Sequence, residues 1–141
     1  MATASDCIFC RIIAAQIPAL IVHQSESTFA FLDVGPLAEG HTLVIPRQHC
    51  ERLEDLPSDE LGRLALDLPR IARAVIDATG AGGYNLLQNN GRAAGQVVKH
   101  VHFHIIPRRE GDGLGYHWNA GSYPTGRGEE VAALIRTSLG D

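Results

Sequence analysis

The run His100-Val101-His102-Phe103-His104-Ile105-Ile106-Pro107 places three imidazoles at alternate positions, with apolar and partly β-branched residues between them. Alternation with period two is the pattern of a β-strand with two differently employed faces, one apolar and buried, the other made of imidazole. At a rise of about 3.3 Å per residue, same-face neighbours lie about 6 to 7 Å apart, so the rings form a row rather than a compact cluster. A row suits an extended anionic group, such as a phosphate with its leaving group. Three imidazoles on one face would be a costly way to build a core, because every buried ring needs its own hydrogen-bond partner. The row therefore points to function ahead of packing. A single ion held by His-x-His in the manner of a cupin fits poorly. The first acid after His104 is Glu110, and Pro107 interrupts the ladder between them.

The remaining segments supply the partners such a strand needs. Residues 7–15 have the Ile8, Phe9, Ile12, Ile13 spacing of a short amphipathic helix that stops before Pro18. Residues 20–23, 28–32 and 42–45 read as short strands, close enough in sequence for an antiparallel meander, with a Gly- and Pro-punctuated loop at 35–40. Ser58 is a candidate N-cap for a long helix closing at Gly80, with Leu61, Leu64, Leu68, Ile71, Val75 and Ile76 recurring at threes and fours. Pro69 inside that helix removes a hydrogen bond to the Ala65 carbonyl and predicts a kink. Residues 84–88 predict a fourth strand, 89–95 a Gly-containing loop, and the histidine run a fifth strand. After a Gly-rich stretch at 110–128, residues 129–139 predict a short C-terminal helix ending at Gly140. The fold class expected is α+β: a five-stranded antiparallel sheet, one long helix packed on it, and short N- and C-terminal helices. Neither an internal repeat nor a linker divides residues 1–141, so one domain is expected.

Composition narrows the partners. The net charge is −4, with Lys99 the single lysine, which argues against a nucleic-acid polymer because that partner usually demands a basic stripe. A small anionic ligand stays open, since backbone N–H groups, amides and imidazoles can hold a phosphate without net positive charge. Arg92, Arg108 and Arg109 either add local field near the histidines or form solvated surface. No apolar run approaches the length that spans a bilayer, and the opening MATASD has neither a basic start nor an apolar core. The expected address is the cytoplasm, without membrane partners.

Cys7-x-x-Cys10 has the spacing that lets two thiolates take adjacent corners of a tetrahedral metal site. A thioredoxin-like redox pair would want a preceding strand, and only six residues precede Cys7. Cys50 has no such spacing argument and reads as a free buried thiol. Taken alone, Asp33 before a Gly-Pro turn reads as a turn former, and Ile8, Phe9, Ile12, Phe31, Val34 and Leu43 read as core. His102, the middle imidazole, is the candidate nucleophile, able to attack phosphorus and then to leave. His104, next on the same face, is the candidate donor to a non-bridging oxygen.

Preceded by Gly95-Gln96, the string His-Val-His-Phe-His-Ile-Ile resembles the signature of the histidine-triad (HIT) superfamily of nucleotide hydrolases and transferases. The blocks CIFCRIIAAQIP, FAFLDVGPLAEGHTLVIPRQH and NLLQNNGRAAGQ are similar to those of its bacterial zinc-containing branch, so the resemblance covers roughly residues 7–118. It implies the same α+β architecture, usually as a homodimer, and a small-molecule purine nucleotide as substrate. By resemblance, His102 forms a nucleotidyl-histidine intermediate, Asn89 and Gln96 contact the phosphate, and His41 supports the triad. Asp33 matches the ribose carboxylate, and Ile8, Phe9, Ile12, Phe31, Val34 and Leu43 match the base slot. The resemblance adds His49 and His100 to Cys7 and Cys10 as ligands of a structural zinc. Val97 departs from the pattern, standing where related branches commonly carry a hydroxyl residue that reaches the leaving group. The expectation is a hydrolase that frees a purine nucleoside monophosphate from an amine, with His102, His104, His41 and Gln96 in the catalytic set. A dinucleoside-polyphosphate hydrolase, towards which GQVVKHVHFH leans, and a nucleotide-binding regulatory module are the alternatives.

Overall fold

The computed structural model describes residues 5–115 and 120–140. Strands β1 (Ile21–Gln24), β2 (Thr28–Leu32), β3 (Thr42–Pro46), β4 (Gly83–Gln88) and β5 (Phe103–Arg108) form one antiparallel sheet in the order β1-β2-β3-β5-β4. The expected meander holds for β1 to β3. Helix α2 (Ser58–Thr79) then carries the chain to the far edge, and β5 returns between β4 and β3, which sets the histidine strand inside the sheet. Helices α1 (Ile8–Ile13) and α3 (Arg127–Leu139) complete the elements, and the five-stranded α+β class read from the sequence is the one observed.

Both faces of β2 and β3 are buried, which is why those strands read as nearly continuous apolar runs. Ala30, Val44 and Ile105 face α2 and pack on Leu64, Ile71, Ala72 and Val75. On the opposite face Phe29, Phe31, Leu43 and Ile45 meet Phe9 and Ile12 of α1. Burying each of these large side chains contributes about 1.5–3 kcal/mol, so the short helix α1 is held by packing rather than by its own propensity.

Helix α2 begins one residue earlier than expected, with Ser58 as its first residue and extended Pro57 rather than Ser58 at the cap position, and ends at the left-handed Gly80, whose N–H bonds the Ile76 carbonyl. Pro69 lies within it and the helix continues through. Gly40, just before β3, has φ +89°, and a Cβ there would lie 2.5 Å from the Thr79 methyl. That close approach pins the entry to β3, and with it His41, against the end of α2. Cys7 caps α1 instead of lying inside it, accepting from the Cys10 N–H at 3.5 Å, and Ala15 at φ 60° ends the segment. None of the α3 residues is buried. Among the described residues, no helix is long and apolar enough to cross a membrane.

One expectation needs correction. The histidine run was read as a strand throughout, yet the ladder starts only at Phe103, opposite Val44. Two residues further along the same register, Val101 would face Pro46, which has no N–H to offer. The Val101 N–H turns instead to the Cys50 carbonyl at 2.8 Å, and His100 and His102 are released from the ladder to face other partners.

Candidate functional site

The row of imidazoles divides into two separate environments. At one end, His100 joins Cys7, Cys10 and His49 in a group whose ligand atoms lie within 4.8 Å of one another. His100 Nδ1 stands 3.5 Å from Cys7 Sγ, 3.6 Å from Cys10 Sγ and 3.2 Å from His49 Nδ1, and His49 Nδ1 is 3.4 Å from Cys10 Sγ. With zinc–sulfur bonds of about 2.3 Å and zinc–nitrogen bonds of about 2.0–2.1 Å, a tetrahedron has S···N edges of about 3.5 Å and an N···N edge of about 3.3 Å. The donor set therefore fits zinc in both chemistry and size. The far nitrogen of His100 donates to the Pro46 carbonyl at 2.8 Å, which fixes Nδ1 as the ligating atom. Burial foremost holds the His100 pKa down at about 4, against the hydrogen bond to Pro46, which favours the charged ring, and with His49 and His102 adding to the lowering.

The other two rings meet a different set of partners. His102 is buried, and its Nδ1 donates to the His100 carbonyl at 2.7 Å. The lone pair of the neutral ring is thereby left on Nε2. Phe9 packs edge-on against it with centroids 5.2 Å apart. Next along, His41 Nδ1 accepts from the Leu37 N–H at 3.1 Å, so the proton of neutral His41 sits on Nε2. That nitrogen lies 2.9 Å from His104 Nδ1, which must accept, and the His104 proton is placed on its own Nε2. The triad thus presents one ring that can attack and one that can donate, each tautomer set by a backbone group. Burial foremost lowers the pKa of His104 to about 4, with His102 and His41 adding to the shift, and burial lowers His41 against the pull of Asp33. Both rings are neutral at pH 7.

A cavity of about 460 Å³ opens in front of them. Ile8, Phe9, Ile12, Phe31, Val34 and Leu43 form its apolar part, and Asp33, Asn89, His102 and His104 its polar end. Each of these ten residues is a candidate from the sequence, and the fold brings them to one cavity. Leu37, Leu87 and Val98 also line it and carried no motif signal, since each reaches the cavity only through the tertiary fold. Asp33 combines both readings made of it. One oxygen closes a turn onto the Gly35 N–H at 2.9 Å, and the other lies 3.7 Å from His41 Nε2 at the cavity edge. A larger cavity of about 680 Å³ between β1 and α2 lacks any such convergence of imidazoles.

Gln96 departs from its expected role as a phosphate donor. Its amide oxygen accepts from the Gly91 N–H at 2.7 Å, and its nitrogen donates to the carbonyls of Glu51 at 2.7 Å and Val98 at 3.0 Å. Both amide hydrogens are engaged by backbone, so the side chain clamps the loop before β5. Arg108 and Arg109 are also committed elsewhere. Arg108 pairs with Asp112 at 2.7 Å, and Arg109 donates to the Thr79 and Gly80 carbonyls at the negative end of α2. Cys50 is half-buried rather than buried, its thiol donating to the Asp55 carbonyl at 3.4 Å. Trp118, where the resemblance stops, lies outside the described residues.

Comparison with known proteins agrees with this geometry. The chain is 45% identical over 130 residues to adenosine 5′-monophosphoramidase hnt1 of Schizosaccharomyces pombe, with 92% of each chain covered. Among solved structures, SMU.412c from Streptococcus mutans UA159 matches with a TM-score of 0.93 at 35% identity, covering 98% of this chain and 88% of that one. A zinc-bound histidine triad family protein from Mycobacterium smegmatis matches with a TM-score of 0.74 at 35% identity, covering 96% of this chain and 98% of the other. The HIT domain model matches residues 14–111, starting after the two cysteines and spanning the sheet, the long helix and all three histidines of the run. On that match the chain belongs to the HIT family.

Proposed function

We propose that the protein is a hydrolase that cleaves a purine nucleoside 5′-phosphoryl group from an amine, by way of a nucleotide bonded covalently to His102. The observation that carries this reading is the His102 ring itself, whose Nδ1–H is held by the His100 carbonyl at 2.7 Å with Nε2 free beside a nucleotide-sized cavity. The named activity of the Schizosaccharomyces pombe relative supports the amine as leaving group.

In the first step the Nε2 lone pair attacks the α-phosphorus, a P–N bond forms to His102, and the bond to the leaving nitrogen breaks as that nitrogen takes a proton from solvent water and departs as the amine. In the second, water attacks the same phosphorus and gives up a proton to solvent, and the P–N bond to His102 breaks, its electron pair returning to Nε2 of the neutral ring. His104 donates from Nε2 to a non-bridging oxygen, where negative charge grows in both transition states. Asn89 offers a neutral amide donor at the same end of the cavity, and Asp33 an acceptor for ribose hydroxyls. The apolar slot grips the base by packing, so discrimination between adenine and guanine should be weak.

Cys7, Cys10, His49 and His100 would hold a structural zinc. When bound, the ion supplies a cross-link between the cap of α1 and the segment entering β5, and all four of its positions are filled by protein. We also propose a homodimer formed along β4. This strand is at the sheet edge with Tyr84, Leu86 and Leu87 exposed, a combination that calls for a covering partner.

Turnover of adenosine 5′-phosphoramidates by the zinc-loaded protein, assayed beside His102→Ala, tests the reading. Steady release of AMP by the wild type and its loss in the variant support it, whereas tight nucleotide binding without turnover would favour a binding module.

A further inference from the structure

We infer that the leaving group this enzyme prefers carries an oxyanion beyond the scissile bond, held by Arg52, Arg92 and Lys99 in a trough on the far side of the Gly95–Val97 wall. The inference rests on the hydrolase reading and adds the chemistry of the group released.

A cavity of about 540 Å³ shares Gly95 and Val97 with the nucleotide cavity, so a substrate that crosses this wall reaches from one to the other. Three cations line the trough against a single carboxylate, Glu51. This is a local excess of positive charge in a chain whose net charge is −4, and it holds the only lysine. Arg52 is seated there by the loop. Gly91 has φ +89°, and a Cβ at that position would stand 2.7 Å from the Arg52 guanidinium. Gly91 is in turn fixed by its N–H bond to Gln96, so the clamp that shapes the catalytic loop also positions this cation. The Arg52 partner Glu54 is exposed and 3.8 Å away, too weakly coupled to neutralise it. Among the described residues, neither Arg92 nor Lys99 has an ion-pair partner.

The wall itself points the same way. Val97 is 89% exposed and offers no hydroxyl, so nothing there hydrogen-bonds the leaving atom directly. Recognition of the released half falls to the cations behind it. A carboxylate or phosphate borne by the amine, or the distal phosphate of a polyphosphate, meets that requirement, and a neutral amine does not.

The test uses zinc-loaded protein and paired substrates, one member anionic and one neutral in the leaving group: the adenosine 5′-phosphoramidates of glycine and of glycine amide, near-isosteric, and of aminoethylphosphonate and of ethylamine, with a diadenosine polyphosphate as a separate arm. We expect kcat/KM for the anionic member of each amine pair to exceed that of the neutral member by about tenfold or more at low salt. The ratio should shrink as salt screens the trough and fall towards one in the Arg52→Gln, Arg92→Gln, Lys99→Gln triple variant. Because it compares two substrates on one sample, the ratio is insensitive to the fraction of variant that folds. The polyphosphate arm distinguishes a distal phosphate from an amine-borne anion as the group the trough holds. Turnover with a ratio of one or less, or a ratio the triple variant does not change, overturns the trough alone. Absence of turnover on every substrate overturns the hydrolase reading and the trough with it.

Discussion

His102 and His104 are the same residue type at alternate positions of one run, and their hydrogen-bond partners give them opposite tautomers. The His100 carbonyl accepts a hydrogen bond from Nδ1–H of His102, leaving the Nε2 lone pair for the attack we propose. A peptide N–H at Leu37 sets the tautomer of His41, which sets that of His104, leaving Nε2–H to donate. His41 is therefore a positioning residue that acts through His104. His41→Leu should lower kcat by about 10- to 100-fold, roughly 1.4–2.8 kcal/mol, with nucleotide affinity little changed. Nitrogen-15 NMR of the ring nitrogens should show His104 as a fixed Nε2–H tautomer in the wild type and a mixture in the variant. A fixed tautomer surviving in the variant would remove His41 from this chain of partners. The alternation of histidines was legible in sequence and suggested the chemistry proposed, but the tautomers were not legible, because they depend on carbonyl and amide groups placed by the fold.

Among the elements, the long helix was the most legible, since its apolar period and the Gly80 stop are local signals. The start of β5 was not. Its ladder is cut by Pro46 on a neighbouring strand, a pairing that no local pattern discloses. The backbone partners of Gln96 were not legible for the same reason, as Glu51 and Gly91 converge on it only in three dimensions. Gln96→Ala should therefore cost about 1–3 kcal/mol of stability by leaving the Gly91 N–H and two carbonyls without their partner, measured by denaturant unfolding. A variant of full stability with activity lost would restore the phosphate role. The Cys-x-x-Cys spacing was legible, while its closure by His49 and His100 came from the resemblance and is supported by the distances. Cys7→Ser should abolish stoichiometric zinc and lower Tm by at least about 10 °C, given the free energy a structural zinc brings to folding. Wild-type protein without zinc by metal analysis would contradict that part of the account.

At the scale of the whole molecule, the sheet carries one core on each face, and the site opens where the α1 core gives way to the row of imidazoles. The fold class was legible from the spacing of strands and helices, but the strand order was not, since placing β5 between β3 and β4 is a property of the assembled sheet. Burying two imidazoles has a global consequence. His104 has a folded pKa of about 4 against an ordinary 6.5, and His41 is lowered as well. Above pH 6.5 both rings are neutral in either state and contribute nothing to the pH dependence. Below it the unfolded chain takes up protons that the folded chain refuses, so stability falls as pH drops from about 6.5 towards 4. Tm measured across that window should decline for the wild type, and less steeply for a His104→Asn variant. Equal slopes would place the titrating groups elsewhere.

The central claim is that His102 Nε2 bonds to the α-phosphorus of a nucleotide. Rapid-quench intact mass spectrometry of the zinc-loaded protein mixed with an adenosine 5′-phosphoramidate tests it most directly, with peptide mapping to locate the adduct. The account predicts a transient adenylyl adduct on the peptide containing His102, absent in His102→Ala. Full turnover by that variant, or an adduct mapping to another residue, would contradict it.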